Sequence, residues 1–237
     1  EEGIYDDFTF DFGWTEAGNA STGAWERGKP IGTDFQGDAV NPGADVTGDC
    51  SNKAYVTGNF GGSAGDDDVD DGNTILTSPT FDLSNMMTPH IHYHRWFYAG
   101  GGQGAPSNDA LTIILSNGTG QVTLETADVN SPDNSQWVYK SFKVSDIIQP
   151  TSQMQIICQT ADTDPGHLVE AGFDHFFVVD SLDVGFSENT HSANWSVFPN
   201  PFTDEINIQL GMEIQGDYQI LITDILGKQV FTKTYSG

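Results

Sequence analysis

The stretch "AGFDHFFVVDSL", Ala171 to Leu182, decides the fold class. Aromatic and β-branched residues fill it, as they fill strands packed on one side. Two shorter runs read the same way: "LTIILSNG" (Leu111 to Gly118) and "MQIICQT" (Met154 to Thr160), each bounded by turn residues. Between such runs lie Gly-rich loops, "GNFGGSAGDDDVDDGNT" (Gly58 to Thr74) and "AGGGQGAPSND" (Ala99 to Asp109). No long amphipathic helical pattern interrupts them. Strands spaced by loops of this kind predict an all-β chain whose first part, residues 1–184, is a jelly-roll β-sandwich.

Beyond it, "GFSENTHSAN" (Gly185 to Asn194) is polar and without periodicity, and reads as a linker over residues 185–194. Residues 195–237 form a second unit. "WSVFPNPFTDEINIQL" gives two strand-like pieces around Pro199, Asn200 and Pro201, and "YQILITDILGKQVFTKTY" gives two more around a turn from Asp224 to Gly227. Four strands are too few to close a sandwich of the usual seven or so.

Charge is the sharpest bulk property. Lys and Arg number 8 against 34 Asp and Glu, a formal net charge of -26. Nucleic acid needs a basic surface to neutralise phosphates, so that class of partner is excluded, and anionic lipid with it. An acidic surface stays soluble and attracts divalent cations. Hydrophobic residues make up 37% of the chain and include 15 Phe, enough for a packed core. No apolar run is long enough to span a bilayer as a helix. The chain begins at Glu1 without an initiator Met or signal peptide, so a processed or partial chain is expected. Cys50 and Cys158 fit a single disulfide in an oxidising compartment, and Cys158 fits a free thiol in an apolar strand equally well.

The tail "VFPNPFTDEINI", followed by "YQILITDILGKQV", resembles the C-terminal sorting domain of proteins exported by the type IX secretion system of Bacteroidetes. Pro199, Asn200 and Pro201 before a strand, and the turn from Asp224 to Gly227, carry the likeness. The resemblance implies a partial immunoglobulin-like β-sandwich, export through the type IX translocon, and a secreted or cell-surface location. Such domains run on for a few more strands, so the resemblance implies a sorting domain of which the N-terminal part is present.

The first unit resembles MAM-like jelly-roll modules, akin to the cleaved adhesin domains of gingipains and to modules appended to secreted zinc carboxypeptidases. "DDFTFDFGW", "GAWERGKP", "DDDVDDGNTILTSPTFDLS", "PHIHYHRWF" and "HLVEAGFDHFFVV" follow one another in that order. In those families the module is not the catalytic part, and some members bind structural calcium.

Asp66, Asp67, Asp68, Asp70 and Asp71 crowd one loop. Calcium takes roughly six to eight hard oxygens, which close carboxylates supply. An EF-hand does not fit, since Asp71 stands where Gly is required and Thr77 where the bidentate Glu belongs. The expectation is a loop site completed by distant residues, drawn from Asp45, Asp68, Asp70, Glu170 and Asp174. A solvated acidic loop is the plainer reading. Crowded carboxylates repel, and a cation relieves them.

In "HIHYHRW", His90, His92 and His94 alternate, so a strand places them on one face with Ile91, Tyr93 and Arg95 on the other. Zinc or copper accepts such imidazoles; a His-bearing sheet face explains the same spacing, and no third-ligand support is visible. "HLVE" at His167 to Glu170, with His175, imitates a zinc carboxypeptidase motif but lacks the α/β domain around it. Glu170 is therefore expected to be a calcium or structural residue and His167 to be exposed. Trp14, Trp25, Trp96 and Trp137 suit a core better than a sugar platform. No nucleophile elbow or phosphate loop is present.

These readings predict a non-catalytic, calcium-stabilised extracellular module that binds a protein or glycan partner, or its own copies, through loops such as Ala99 to Asp109. The alternative is the C-terminal accessory and sorting region of a larger secreted metallopeptidase.

Overall fold

The computed structural model describes residues 4–102, 106–180, 195–198, 204–210, 217–223 and 228–235. The chain divides into two compact units, Glu1–Asp183 and Val184–Gly237. The described strands of the first are, in chain order, β1 (Ile4–Asp6), β2 (Thr15–Gly18), β3 (Trp25–Gly28), β4 (Thr33–Phe35), β5 (Asp38–Asn41), β6 (Ala54–Thr57), β7 (Gly72–Thr77), β8 (Pro89–Gly100), β9 (Ala110–Ser116), β10 (Gln121–Asp128), β11 (Val138–Lys143), β12 (Gln155–Asp162) and β13 (Leu168–Asp180).

They build two antiparallel sheets that face one another. One has the order β11-β8-β13-β6-β3, with β1 added on β13; the other has the order β10-β9-β12-β7-β2. The chain crosses between the sheets repeatedly, as a jelly roll requires. Of the stretch quoted first, Ala171 to Asp180 belongs to β13, the long central strand of the first sheet, and Ser181 and Leu182 lie outside the described residues.

Alternation sets the core. Ile91, Tyr93 and Phe97 of β8 point inward with Val169, Ala171, Phe173, Phe176 and Val178 of β13. Leu111, Ile113 and Leu115 of β9 meet them from the opposite sheet, with Ile156 and Cys158 of β12 and Leu76 of β7. Fully burying one such side chain contributes about 1.5–3 kcal/mol. Trp14 and Trp25 belong to this core.

Arg95, 1% exposed, also points inward and bridges the sheets. A bulge in β10 at Leu124 turns Glu125 to the side of Ile113. There its carboxylate lies 2.9 Å from Arg95 Nη2 and 2.8 Å from Lys140 Nζ. Asp133 lies 2.6 Å from Arg95 Nη2. Two cations and two carboxylates thus close the open edge between β8, β11 and β10.

The outer face of the first sheet is half covered. Trp96 donates from Nε1 to the Val40 carbonyl (2.7 Å), and Trp137 to that of Ala44 (2.8 Å). Val40, Ala64 and Tyr98 form a small second cluster with Phe35 and Leu168. Gly172 makes this cover possible, because a Cβ there would lie 2.7 Å from Trp137 Cη2.

In the second unit, β14 (Trp195–Phe198) pairs antiparallel with β15 (Asn207–Leu210), and β16 (Tyr218–Thr223) with β17 (Gln229–Tyr235). The proposed linker, 185–194, lies outside the described residues.

Candidate functional site

Asp174 sits where β13 bulges. Asp174 pairs with His94 and Phe177 with His92, so two residues of β13 stand opposite one of β8. His175, inside the bulge, takes a φ of 49°. The bulge leaves Asp174 on the outer side, beneath the 40–53 segment, with no exposure to solvent. Asp45 and Asp49 come down on it from that segment. One carboxylate oxygen from each of the three lies within 4.8 Å of the others.

Val46 N donates to Asp174 Oδ2 (3.2 Å). Neither oxygen of Asp45 has a hydrogen-bond partner, though both are buried, and Asp49 Oδ2 is in the same position. Burial raises the carboxyl of Asp174 far above its ordinary range, with the facing Asp45 adding to the effect. Asp45 and Asp49 are raised too, first by burial. Three carboxylates so placed demand a proton or a cation between them. Hard oxygens, no sulfur and no imidazole among the three suit calcium.

This corrects the expected set. Asp45 and Asp174 come together, but Asp68, Asp70 and Glu170 do not join them. Glu170 and Asp174 are four residues apart on an extended strand, about 13 Å, too far to share one ion. Glu170, 2% exposed, accepts a short hydrogen bond from the Thr57 hydroxyl. Asp68, 2% exposed, has its carboxyl pushed up to about 7 by burial and then by the charge of Asp70. Asp66 and Asp67 cap their own loop, accepting from Ser63 N (2.9 Å) and Phe60 N (3.0 Å). Asp49 was missed, although it stands in the same "ADVTGDC" stretch as Asp45.

His90, His92 and His94 do share the outer face of β8. They do not converge on one point. His92 stacks on Phe177 (centroids 4.4 Å apart, 9° between planes), and His94 on His175 (5.3 Å, 4°). His92 Nδ1 lies 2.6 Å from the Tyr139 hydroxyl. Tyr5, 49% exposed, and Tyr139, 51% exposed, flank the row. Burial, then the neighbouring imidazoles, lowers His92, and burial with His175 takes His94 down to about 4. The row stands on the uncovered half of the sheet as stacked rings, with His92 Nε2 and His94 Nδ1 buried and without a hydrogen-bond partner.

Two further expectations change. His167 is buried, 5% exposed, rather than exposed, because it continues the inward side of β13 one step beyond Val169. In the stretch from Ala99 to Asp109, Ala99 and Gly100 belong to β8, and residues 103–105 lie outside the described residues. Both cysteines are free: Cys158 points into the core and Cys50 is exposed. Pro199, Asn200, Pro201, Asp224 and Gly227 lie outside the described residues.

Residues 196–237 match the family model described as the secretion system C-terminal sorting domain. No curated protein matches the chain. Among solved structures, the K1 cleaved adhesin domain of Lys-gingipain from Porphyromonas gingivalis W83 is similar over 76% of this chain and 98% of its own, at 13% identity and a TM-score of 0.46. The K3 cleaved adhesin domain of the same protein has 10% identity and a TM-score of 0.45, over 75% of this chain and 97% of its own. A family 11 carbohydrate-binding module from a Clostridium thermocellum cellulase has 12% identity and a TM-score of 0.38, over 76% of this chain and 95% of its own. The tail is thus a type IX secretion sorting domain, and the chain is secreted or displayed at the cell surface. Among the described residues no helix is long and apolar enough to cross a membrane.

Proposed function

We propose that the first unit is a non-catalytic extracellular binding module, held in shape by calcium and presenting its uncovered sheet face to a protein or glycan partner or to a second copy. The observation that carries this reading is the meeting of Asp45, Asp49 and Asp174, whose ligand atoms lie within 4.8 Å of one another. A calcium ion there pins the covering 40–53 segment to β13. His175 follows Asp174 directly and stacks on His94, so the ion also fixes one border of the ring face. The exposed Tyr5 and Tyr139 supply aromatic faces and hydroxyls suited to sugar rings or polar side chains.

The test is capture from glycan arrays and from surface-protein extracts by the full chain, with calcium present. The reading expects retained ligands that are lost with the paired change His92→Ala and Tyr139→Ala, without a change in melting temperature. Undiminished capture by that variant excludes the ring face. Turnover of peptide, ester or polysaccharide substrates by the purified chain excludes a non-catalytic role.

A further inference from the structure

A second constellation lies at the opposite side of the sheet from the calcium carboxylates, at one mouth of the sandwich. Asp109 extends the inward side of β9 beyond Leu111. Asp162 ends the inward side of β12 beyond Cys158 and Thr160. His167 extends the inward side of β13 beyond Val169. Strand alternation therefore aims all three into the space between the sheets. They are 5%, 3% and 5% exposed. One ligand atom from each lies within 4.8 Å of the other two.

The geometry around them is fixed by other groups. Ser107 Oγ donates to Asp109 Oδ2 (2.9 Å), and Thr163 N to Asp109 Oδ1 (3.2 Å). His167 N donates to Asp162 Oδ1 (3.1 Å), and His167 Nδ1 is 3.2 Å from Asp109 Oδ2. A Cβ on Gly102 would meet the His167 ring at Cδ2, so the glycine chain presses directly on the imidazole. Just inside, on the same face of β12, Thr160 is 1% exposed and its Oγ1 has no hydrogen-bond partner. Just outside, Asp68, Asp70, Gly101 and His167 line an open cleft of about 270 Å³.

We infer that Asp109, Asp162 and His167 form a site for a borderline first-row dication, with zinc as the best fit, open on one side to the cleft. Two carboxylates buried beside one another call for positive charge, and the unmatched Thr160 hydroxyl marks an unfilled polar position next to them. The imidazole separates this site from the all-oxygen group at Asp45, because calcium prefers hard oxygen while zinc takes nitrogen readily. Asp68 and Asp70 stand on the cleft side as further oxygen donors. The inference does not depend on the calcium reading.

Isothermal titration of the stripped full chain with zinc, in excess calcium throughout, tests it. The expected result is one zinc per chain, with affinity falling by more than about tenfold in His167→Ala and in Asp162→Asn. Zinc-edge X-ray absorption on the loaded wild-type chain needs no variant, and should show one imidazole among oxygen ligands. Two or more imidazoles would assign the metal to the His90, His92 and His94 row instead and overturn the inference. So would the absence of zinc binding, which would leave the His167–Asp109 contact a structural one.

Discussion

Asp45→Asn should make the metal-free protein more stable and the calcium-loaded protein no more stable than that. Two full charges no more than 4.8 Å apart repel by at least about 3.5 kcal/mol at an effective dielectric of about 20. Asp45, Asp49 and Asp174 therefore cannot all ionise bare without a cost comparable to the stability of the domain. Without metal they hold a proton; with calcium they release it and ligate. Replacing Asp45 by Asn removes one charge from that repulsion, so the stripped variant should melt above stripped wild type. The same change removes a calcium ligand. Wild type at a hundredfold calcium excess over Kd gains about 2.7 kcal/mol. For a unit of this size that is a rise of roughly 5–10 °C in melting temperature. Differential scanning calorimetry of both full-length proteins, chelated and then reloaded, gives four melting temperatures. The reasoning requires the order of the two proteins to reverse or converge on adding calcium. An equal calcium shift in Asp45→Asn, or no shift in wild type at millimolar calcium, refutes it.

Three further outcomes follow from the same structure. Asp68 has a carboxyl raised to about 7, so its protonated form favours the native state, and that contribution is complete below about pH 4 and fades as pH rises through 7; the metal-free chain should lose stability against Asp68→Asn over that window, and parallel pH profiles would rule this out. Arg95→Ala leaves Glu125 and Asp133 without their buried partner and should cost about 3–5 kcal/mol in urea unfolding, whereas a loss below about 1 kcal/mol would mean that Lys140 alone holds both. Gly172→Ala drives a methyl toward Trp137 Cη2 at 2.7 Å and should destabilise by about 1–3 kcal/mol with a change in tryptophan fluorescence; a neutral result would mean the covering loop is loosely seated.

The sequence showed the strands more readily than the sites. β9, β12 and β13 are legible because their apolar runs are long and end in turn residues. The alternation in "HIHYHRW" correctly divided β8 into a His face and a core face. The expected calcium residues do not all converge on one point, for a geometric reason: Glu170 and Asp174 look adjacent in print but stand about 13 Å apart on a strand. Asp49 carried a weak signal, four residues from Asp45, that was passed over. Asp109, Asp162 and His167 carried none that spacing alone could reveal, since two of them end strands more than fifty residues apart and their convergence follows from sheet order. The same holds for the 40–53 segment, whose role as a cover depends on Trp96 and Trp137 rather than on any pattern of its own.

Export is the claim on which the rest stands, and it has a direct measurement. Surface proteolysis and cell fractionation of the native host, comparing the full chain with a version lacking residues 195–237, report where each one goes. The account predicts that the full chain is outside the cell and the shortened chain is retained in the periplasm. A shortened chain that reaches the surface as efficiently as the full one would contradict it.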